Sequence, residues 1–396
     1  MRESATVGEA GLRAAVRELF DAPFVREELA RVWAVRDDEC PHPAAVYQAL
    51  GARRWLAPHW PRHYGGLGLS AYASAVVAEE MGLHGIPDSV RVNTIDNAGA
   101  TLLKAGTPEQ RARFLPGMAR GETVFAVLYT EPDVGSDLGG MSTRAVPVPG
   151  GWRVDGTKEW NARTGLAEFG VLAARTGGGG DGGDGGGGKK FAGIGLFVLP
   201  LHVPGVVVEP LGTLNHERLY RVRLSDVRLP GDALVGRPGQ GWSLVTEALG
   251  LERTGVNYAG KARRWFDRMT AELAARGLLA DACRDHGLRR LDAEIEAARL
   301  LAWRAVRDVE LGRRNAAAAA GAKWWTSELA QRVAWLAWRL LGPLAASPRH
   351  PSTGFPDLVP AVREAPGLTL AAGTSEVLLT TVATDLLDGS DPWEAP

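Results

Sequence analysis

The spacing of apolar residues changes twice along the chain, and this limits the fold more than any other feature. Helical spacing of three and four residues near the N-terminus is seen at Leu12, Val16, Leu19 and Phe20, which predicts one buried helix face. Short β-forming runs replace it from about residue 123, and helical spacing returns after residue 240. We therefore predict an α+β multidomain fold: an N-terminal all-α domain (1–122), a middle antiparallel β domain (123–238) and a C-terminal four-helix bundle (239–396).

Several helices are marked by their ends or by an apolar stripe. Thr107 followed by Pro108, with Gln110 at the third helical position, forms a capping-box start. Further helices are predicted from about 72 to 84, along the stripe that begins at Leu288, from 315 to 341 and from 375 to 387. The helix at 315–341 carries four tryptophans, interpreted as core or subunit contacts: Trp324, Trp325, Trp335 and Trp338.

The middle of the chain has runs of strand length separated by glycine and proline. They lie at about 124–129, 151–156, 171–175, 191–199, 206–211 and 219–224. Residues 177–188 contain only glycine and aspartate. We interpret this stretch as a long hairpin loop, because a phosphate-binding loop would need a following helix and a Lys-Ser/Thr pair.

Charge and composition limit the partners. The formal net charge is −1 over 396 residues, so no basic surface indicates nucleic acid. No apolar run reaches the roughly 18 residues of a membrane span, and no secretory signal is visible. The two cysteines, Cys40 and Cys283, fit a reducing compartment. We expect a cytoplasmic protein without nucleic acid, membrane span or metal.

Four short stretches, one or more in each of the two later domains, carry a family resemblance. Tyr129-Thr-Glu-Pro-Asp-Val-Gly-Ser-Asp137 resembles the T-E-P-x-x-G-S-D signature of acyl-CoA dehydrogenases. Thr157-Lys-Glu-Trp160 is similar to the family's G-x-K-x-W element, and Gly373-Thr-Ser-Glu-Val377 to its G-T-S-[EQ]-[IV] motif. Glu252-Arg253 falls where isovaleryl-CoA dehydrogenase carries its base. The resemblance spans roughly residues 40–390 and implies an acyl-CoA dehydrogenase-like fold.

The resemblance implies FAD as the cofactor and α,β-dehydrogenation of an acyl thioester, carried by CoA or by a carrier protein. The residues implied for cofactor binding are Val127, Leu128, Tyr129, Thr130, Gly135, Ser136, Trp160, Asn161, Ala162, Thr374, Ser375 and Glu376. The residues implied for substrate binding are Ser136, Arg253, Ala372 and Gly373. Trp160 would pack near the isoalloxazine and exclude water from the reacting face.

The reaction needs a carboxylate base for the α proton, donors for an enolate-like oxygen, and flavin N5 to take the β hydride. Most family members place the base directly before the G-T-S motif, where this chain has Ala372. Isovaleryl-CoA dehydrogenase-like members have a small residue there and a Glu in the first helix of the bundle, as in Leu251-Glu252-Arg253. This paired exchange predicts that Glu252 is the base; the other interpretation is an exposed ion pair.

Departures from the family pattern leave two further hypotheses open. Ala162 stands where the family usually has Thr or Ser against flavin N5. The R-x-x-F-G element is not recognisable in residues 272–290, and Q-x-x-G-G-x-G is reduced to Arg339-Leu-Leu-Gly-Pro343. One alternative is a flavin monooxygenase or N-oxygenase on the same fold. The other is a catalytically weak partner subunit of a heteromeric acyl-CoA dehydrogenase. The resemblance also implies a homo- or hetero-oligomer and an electron-transfer flavoprotein as acceptor.

Overall fold

Helices form the first part of the chain. The computed structural model describes residues 9–34, 40, 42–177, 191–215, 217–285, 287–313, 315–342 and 358–387. The N-terminal helices are α1 (Glu9–Phe20), α2 (Pro23–Ala34), α3 (Ala44–Ala52), α4 (Ala71–His84), α5 and α6 (Pro108–Ala119). Helix α5 starts at Ser89–Arg91, widens into π-helical turns over Val92–Gly99 and returns to an α-helix over Ala100–Ala105.

The predicted helix signals in this part are confirmed. The Thr107 hydroxyl accepts a hydrogen bond from the Gln110 backbone, and the Gln110 side chain accepts one from the Thr107 backbone, as a capping box requires. The stripe on α1 is buried in the core of the N-terminal part, where α1 packs against α4. Burial of this apolar face is what holds short helices of this kind together.

The middle part is an eight-stranded sheet in the order β6-β7-β3-β2-β4-β5-β8, with β1 also paired to β4. The strands are β1 (Phe125–Leu128), β2 (Arg144–Val148), β3 (Gly151–Ala162), β4 (Phe169–Arg175), β5 (Ile194–Pro200), β6 (Val206–Pro210), β7 (Leu219–Pro230) and β8 (Leu234–Val235). The predicted antiparallel pairing dominates. The parallel β1–β4 pair and a single parallel β2–β4 contact are differences from the prediction.

Strands β3 and β7 run well beyond the stretches predicted from sequence. Register shifts between Val154 and Gly156 and between Lys158 and Asn161 interrupt their ladder. Such bulges bend a strand without ending it, and they hide its alternation in the sequence. The glycine-rich stretch predicted as a hairpin loop lies, apart from Gly177, outside the described residues. The strands on either side of it, β4 and β5, are antiparallel.

The last part of the chain is helical again. Its helices are α7 (Gly241–Glu252), α8 (Val256–Ala275), α9 (Leu279–Asp285), α10 (Leu288–Glu310), α11 (Ala316–Leu341), α12 (Leu358–Leu368) and α13 (Ser375–Leu387). Helix α11 packs against α8, α10 and α13, and α8 also packs against α4 of the N-terminal part. Alanines fill the interior side of α11, whereas Trp335 and Trp338 are 46% and 41% exposed. These two tryptophans are therefore not core residues.

Among the described residues, no helix is both long enough and apolar enough to cross a bilayer. The first strand begins at Phe125 and the first helix after the sheet begins at Gly241. The domain boundaries at residues 122 and 238 stay predictions.

Candidate active site

The backbone directly after strand β1, called here the Tyr129–Thr130 edge, is fixed by a buried ion pair. The Lys158 ammonium donates to the Tyr129 carbonyl and to Glu131 Oε1, both at 2.9 Å. Glu131 also accepts hydrogen bonds from the Ser142 and Thr143 backbone N–H groups. Burial lowers the pKa of Lys158 to about 8, against the opposing effect of Glu131. The Lys158 ammonium and both oxygens of the Glu131 carboxylate have hydrogen-bond partners, so the Tyr129–Thr130 edge is held rigidly.

Glu131 makes a testable contribution to acid stability. Burial would raise its pKa, but Lys158, Ser142 and Thr143 outweigh burial and lower the pKa to about 2. A depressed carboxyl pKa stabilises the fold above the unfolded-state value and loses that effect as pH falls towards the folded-state value. We expect the free energy of unfolding to lose of the order of 3 kcal/mol between about pH 4.5 and pH 2 from this group.

Chemical denaturation across this pH window measures the loss. In Glu131→Gln the acid-dependent part should be absent, whereas Glu209→Gln, a carboxylate in an exposed pair with Arg223, should keep the wild-type pH profile. The assignment would be wrong if the two variants had the same acid dependence.

A second predicted group lies at the end of β3, next to the β1 edge. The Glu159 N–H donates to the Thr130 carbonyl at 2.9 Å, which joins the two groups. Trp160 has a left-handed φ of 64° and its side chain is 51% exposed. A large aromatic held in this costly conformation and turned outward is typical of a ligand platform.

The residues after Trp160 are anchored by polar contacts. Asn161 donates to the Tyr220 carbonyl at 3.3 Å, and the Ala162 carbonyl accepts from Asn93 of α5 at 3.0 Å. Gly135 has no neighbour within 4 Å of the position a Cβ would occupy. An exposed tryptophan beside an open, rigid backbone edge suits a planar aromatic ligand, such as the flavin that the sequence motifs imply.

A third predicted group lies in the turn before α13. Ala372 and Gly373 have left-handed φ values of 57° and 103°. Arg253 Nε donates to the Ala372 carbonyl at 2.8 Å, and the fully buried Lys323 donates to the Gly373 carbonyl at 2.9 Å. Two cations thus hold two consecutive peptide groups of the turn. This compensates for the strain of a non-glycine residue at positive φ.

For the predicted base, Glu252, the structure describes the position of the backbone. Helix α7 ends at Glu252, and Arg253 follows in the turn to α8. The side chains of residues 247–252 lie outside the part of the chain that the structure describes. Because Arg253 contacts Ala372, the two positions of the paired exchange are neighbours in space. Glu252 as the base stays a prediction.

The G-T-S residues open helix α13. The Thr374 hydroxyl accepts from the Val377 N–H at 3.3 Å, and the Ser375 hydroxyl donates to Glu328 of α11. Glu376 lies in the first turn, and hydrogen bonds from its own backbone and from Thr374 lower its pKa. A carboxylate there is favourable because it meets the positive end of the helix dipole.

A cavity of about 130 Å³ lies between the N-terminal helices and the bundle. Its walls come from α4, α5, the start of α8 and α10. Thr254, two residues after Glu252, lines it, and so does Val92, the neighbour of the Asn93 that holds Ala162. Two of the lining residues are thus sequence neighbours of Asn93, which holds Ala162, and of Arg253, which holds Ala372. For scale, a cavity of roughly 150 Å³ holds benzene.

The structure places the predicted residues in three groups, of which the first two are joined by the hydrogen bond from Glu159 to Thr130. Val127, Leu128, Tyr129 and Thr130 lie on or after β1, and Gly135 and Ser136 lie in an exposed turn beyond them. Three residues that hold or line the site were not predicted from the sequence: the fully buried Lys158 and Lys323, and the partly buried Asp96. Lys158 stood within a recognised motif. Asp96 lies five residues after Arg91, a spacing that pairs on a π-helix and not on an α-helix.

Comparison with known proteins identifies the class. Sequence models of the acyl-CoA dehydrogenase N-terminal, middle and C-terminal domains match residues 9–122, 126–227 and 239–387. The chain belongs to the acyl-CoA dehydrogenase family, and it is an oxidoreductase of that class.

Individual relatives share nearly the whole length. The chain is 30% identical over 368 residues to the acyl-CoA dehydrogenase FadE26 of Mycobacterium tuberculosis, covering 89% of each. The Tcur3481-Tcur3483 steroid ACAD superposes with a TM-score of 0.82 at 30% identity, over 96% of this chain and 97% of that one. The ChsE4-ChsE5 complex of Mycobacterium tuberculosis superposes with a TM-score of 0.76 at 26% identity, over 98% and 99%.

Proposed function

We propose that this protein is an FAD-dependent dehydrogenase that introduces a Cα–Cβ double bond into an acyl thioester, with Glu252 as the base. The observation that carries the proposal is the 2.8 Å hydrogen bond from Arg253 to the Ala372 carbonyl. It makes the end of α7 and the turn before α13 neighbours. A carboxylate at position 252 would therefore reach the same substrate as a carboxylate at position 372.

The cofactor site is proposed from the residues that surround Trp160. The exposed indole would support one face of the flavin, and the rigid Thr130 edge and the Gly135–Ser136 turn would carry the hydrogen bonds to its polar parts. Thr374, Ser375 and Glu376, at the start of α13, would complete the site. FAD, when bound, supplies the hydride acceptor.

The chain's own residues would supply the proton chemistry. Glu252 would remove the proton next to the thioester carbonyl, since a carboxylate in a closed pocket gains basicity. The N–H of Ala372 would stabilise the developing negative oxygen. Arg253 and Lys323 are positioning residues, because they hold the carbonyls of Ala372 and Gly373 and so fix the turn that contains that N–H. Ser136 and Gly373 would contact the thioester carrier.

The size of the cavity supports a short substrate. A volume of about 130 Å³ accommodates about six non-hydrogen atoms, by comparison with the roughly 150 Å³ that hold benzene. A short, branched or otherwise compact acyl group on CoA or a carrier protein would fill it.

Partners are proposed from surface and relatives. Trp335 and Trp338 on α11 and Leu300 on α10 are all more than two-fifths exposed, and exposed aromatic residues are enriched at subunit interfaces. The similar ChsE4-ChsE5 structure is a complex of two proteins. We propose an oligomer, either of this chain or with a related subunit, an electron-transfer flavoprotein as acceptor, and a location in the cytoplasm.

Anaerobic titration of the purified holoprotein with a panel of acyl-CoAs tests the function. Short acyl-CoAs of up to about six acyl carbons should bleach the flavin absorption band stoichiometrically, whereas palmitoyl-CoA, too long for the cavity, should bleach it at least about tenfold less readily. The titration monitors the flavin band of the protein itself, so no external acceptor is needed. A flavin-containing protein whose absorption no acyl-CoA changes would exclude the proposed reaction.

A further inference from the structure

The cavity behind Thr254 has one polar wall, built around Arg91 of α5. This guanidinium is 2% exposed and is engaged on every nitrogen: Nε donates to the Leu56 carbonyl at 3.3 Å, one terminal nitrogen donates to Asp96 at 2.8 Å and the other to the Ser74 hydroxyl at 2.6 Å. Three of the five N–H donors of Arg91 are therefore committed to protein acceptors, and its charge is paired with Asp96. Its role is to hold Asp96 and Ser74 in fixed positions on the cavity wall.

Asp96 keeps one acceptor open. One carboxylate oxygen takes the hydrogen bond from Arg91, and among the described residues no donor contacts the other. The side chain is 19% exposed and lines the cavity. Burial raises the pKa of Asp96, and Arg91 opposes that shift. In either protonation state one oxygen can still accept a hydrogen bond.

His59 adds a second polar group without a partner. It lines the same cavity, and within the described part of the chain its buried Nδ1 atom has no hydrogen-bond partner. Burial, together with the nearby Arg91 charge, lowers the pKa of His59 to about 3. The ring is therefore neutral at physiological pH and can either donate or accept. Buried polar atoms left in this way are normally satisfied by a ligand or by ordered water.

Each carboxylate of the cavity wall already contacts a cation. Asp96 contacts Arg91 at 2.8 Å, and Asp88, the other carboxylate of the wall, contacts Lys261 at 3.1 Å. A substrate carboxylate would meet the open oxygen of Asp96 without a free cation, and an ammonium would lose its hydration without a free anion. A neutral hydrogen-bond donor is the group that this wall accommodates at least cost.

We propose that the substrate's acyl group is short and carries a hydroxyl at its distal end, which donates a hydrogen bond to Asp96. The inference rests on the proposed function, because it takes the cavity as the acyl pocket. Val306 and Val309 of α10, with the alanines of α4, would pack on the hydrocarbon part of the same chain.

Binding can be measured without turnover. In S-(4-hydroxybutyl)-CoA and S-pentyl-CoA a methylene replaces the thioester carbonyl, so neither has an acidic α proton to lose. The two ligands have the same number of non-hydrogen atoms. Calorimetric titration of the holoprotein should give a Kd at least about tenfold lower for the hydroxyl ligand, since a site built for a hydroxyl leaves its acceptor unpaired with the alkyl ligand.

Variants assign that preference to Asp96. Asp96→Leu should abolish the Kd difference. Asp281→Leu, which breaks a matched but exposed Asp–Arg pair with Arg284, should preserve it. Asp96→Leu leaves a buried guanidinium without its carboxylate partner, which can prevent folding. The double variant Arg91→Met/Asp96→Leu removes both charges and gives the same test if the single variant does not fold.

The outcomes separate this inference from the proposed function. Equal Kd values for the two ligands in the wild type, or a preference that survives in Arg91→Met/Asp96→Leu, would overturn the hydroxyl assignment whether or not acyl-CoAs bleach the flavin. If no acyl-CoA bleaches the flavin but the Asp96-dependent preference is present, the binding inference holds and the dehydrogenase function fails.

Discussion

Replacing Glu252 with glutamine should lower the rate of flavin bleaching by acyl-CoA by about 10²- to 10⁴-fold, the range typical of a lost general base. Glutamine keeps the shape of glutamate and one acceptor oxygen, but it cannot take a proton near neutral pH. Binding should therefore survive, and the loss should fall on the rate of the chemical step. Anaerobic stopped-flow absorbance of the flavin band measures this rate directly.

Glu247→Gln is the matched control, because it makes the same change on the same helix, α7. It should bleach at close to the wild-type rate. Retention of flavin and an unchanged Kd for a thioether ligand would show that Glu252→Gln is folded. Unchanged bleaching in Glu252→Gln would remove Glu252 as the base and leave the class of reaction to another carboxylate.

Replacing Lys261 with methionine should lower the free energy of unfolding by about 3–5 kcal/mol, as expected when one member of a buried ion pair is removed. The Lys261 ammonium lies 2.6 Å from Glu364 of α12 and 3.1 Å from Asp88, just before α5. All three side chains are at most 12% exposed. Burial lowers the pKa of Lys261, but the two carboxylates more than offset it and hold the pKa above its ordinary value.

Without the cation, both carboxylates would remain buried next to each other. Lys261 of α8 connects Asp88 of the N-terminal part to Glu364 of α12. The loss of this connection should appear as a lower denaturant midpoint. Arg290→Met, which breaks the exposed Arg290–Glu294 pair, should change stability by less than about 0.5 kcal/mol. A triple variant with Asp88→Asn and Glu364→Gln should recover part of the loss. Equal midpoints for Lys261→Met and Arg290→Met would contradict this account.

The colour of the purified protein separates the remaining hypotheses. A yellow protein that acyl-CoA does not bleach but that consumes oxygen with a reductant would favour the monooxygenase, for which Ala162 at the usual hydroxyl position is the motivating feature. A colourless chain that binds FAD only together with a related subunit would favour the weak partner subunit. Ultracentrifugation with and without that subunit measures the assembly.

Much of the fold could be predicted from the sequence because its signals are local. The capping box at Thr107, the stripe from Leu288 and the helix that begins at Ser375 each occupy a few residues, and the structure confirms them. The order of helical, β and helical parts is confirmed as well. Trp335 and Trp338 were predicted as core or subunit contacts, and their exposure excludes the core. Small alanines pack helices closely on the inner side of α11, whereas Trp335 and Trp338 face outward.

Other parts could not be predicted because they depend on distant contacts. The parallel pairing of β1 with β4 joins segments more than forty residues apart. Lys261 gave no signal in the sequence, since its partners are distant along the chain. The pairing of Arg91 with Asp96 requires the π-helical turns of α5, and no periodicity in the sequence predicted those turns.

By itself the sequence determined the order of the elements, the family motifs and the presence of a glutamate at position 252 with an alanine at position 372, since each of these depends on a short stretch of residues. Only the tertiary structure decided that Arg253 meets Ala372 and that Arg91 and Asp96 form a wall beside Thr254. The physical reason is that a motif fixes which groups are present, whereas packing of elements from three parts of the chain fixes which groups share a cavity and which of them remain open to a substrate.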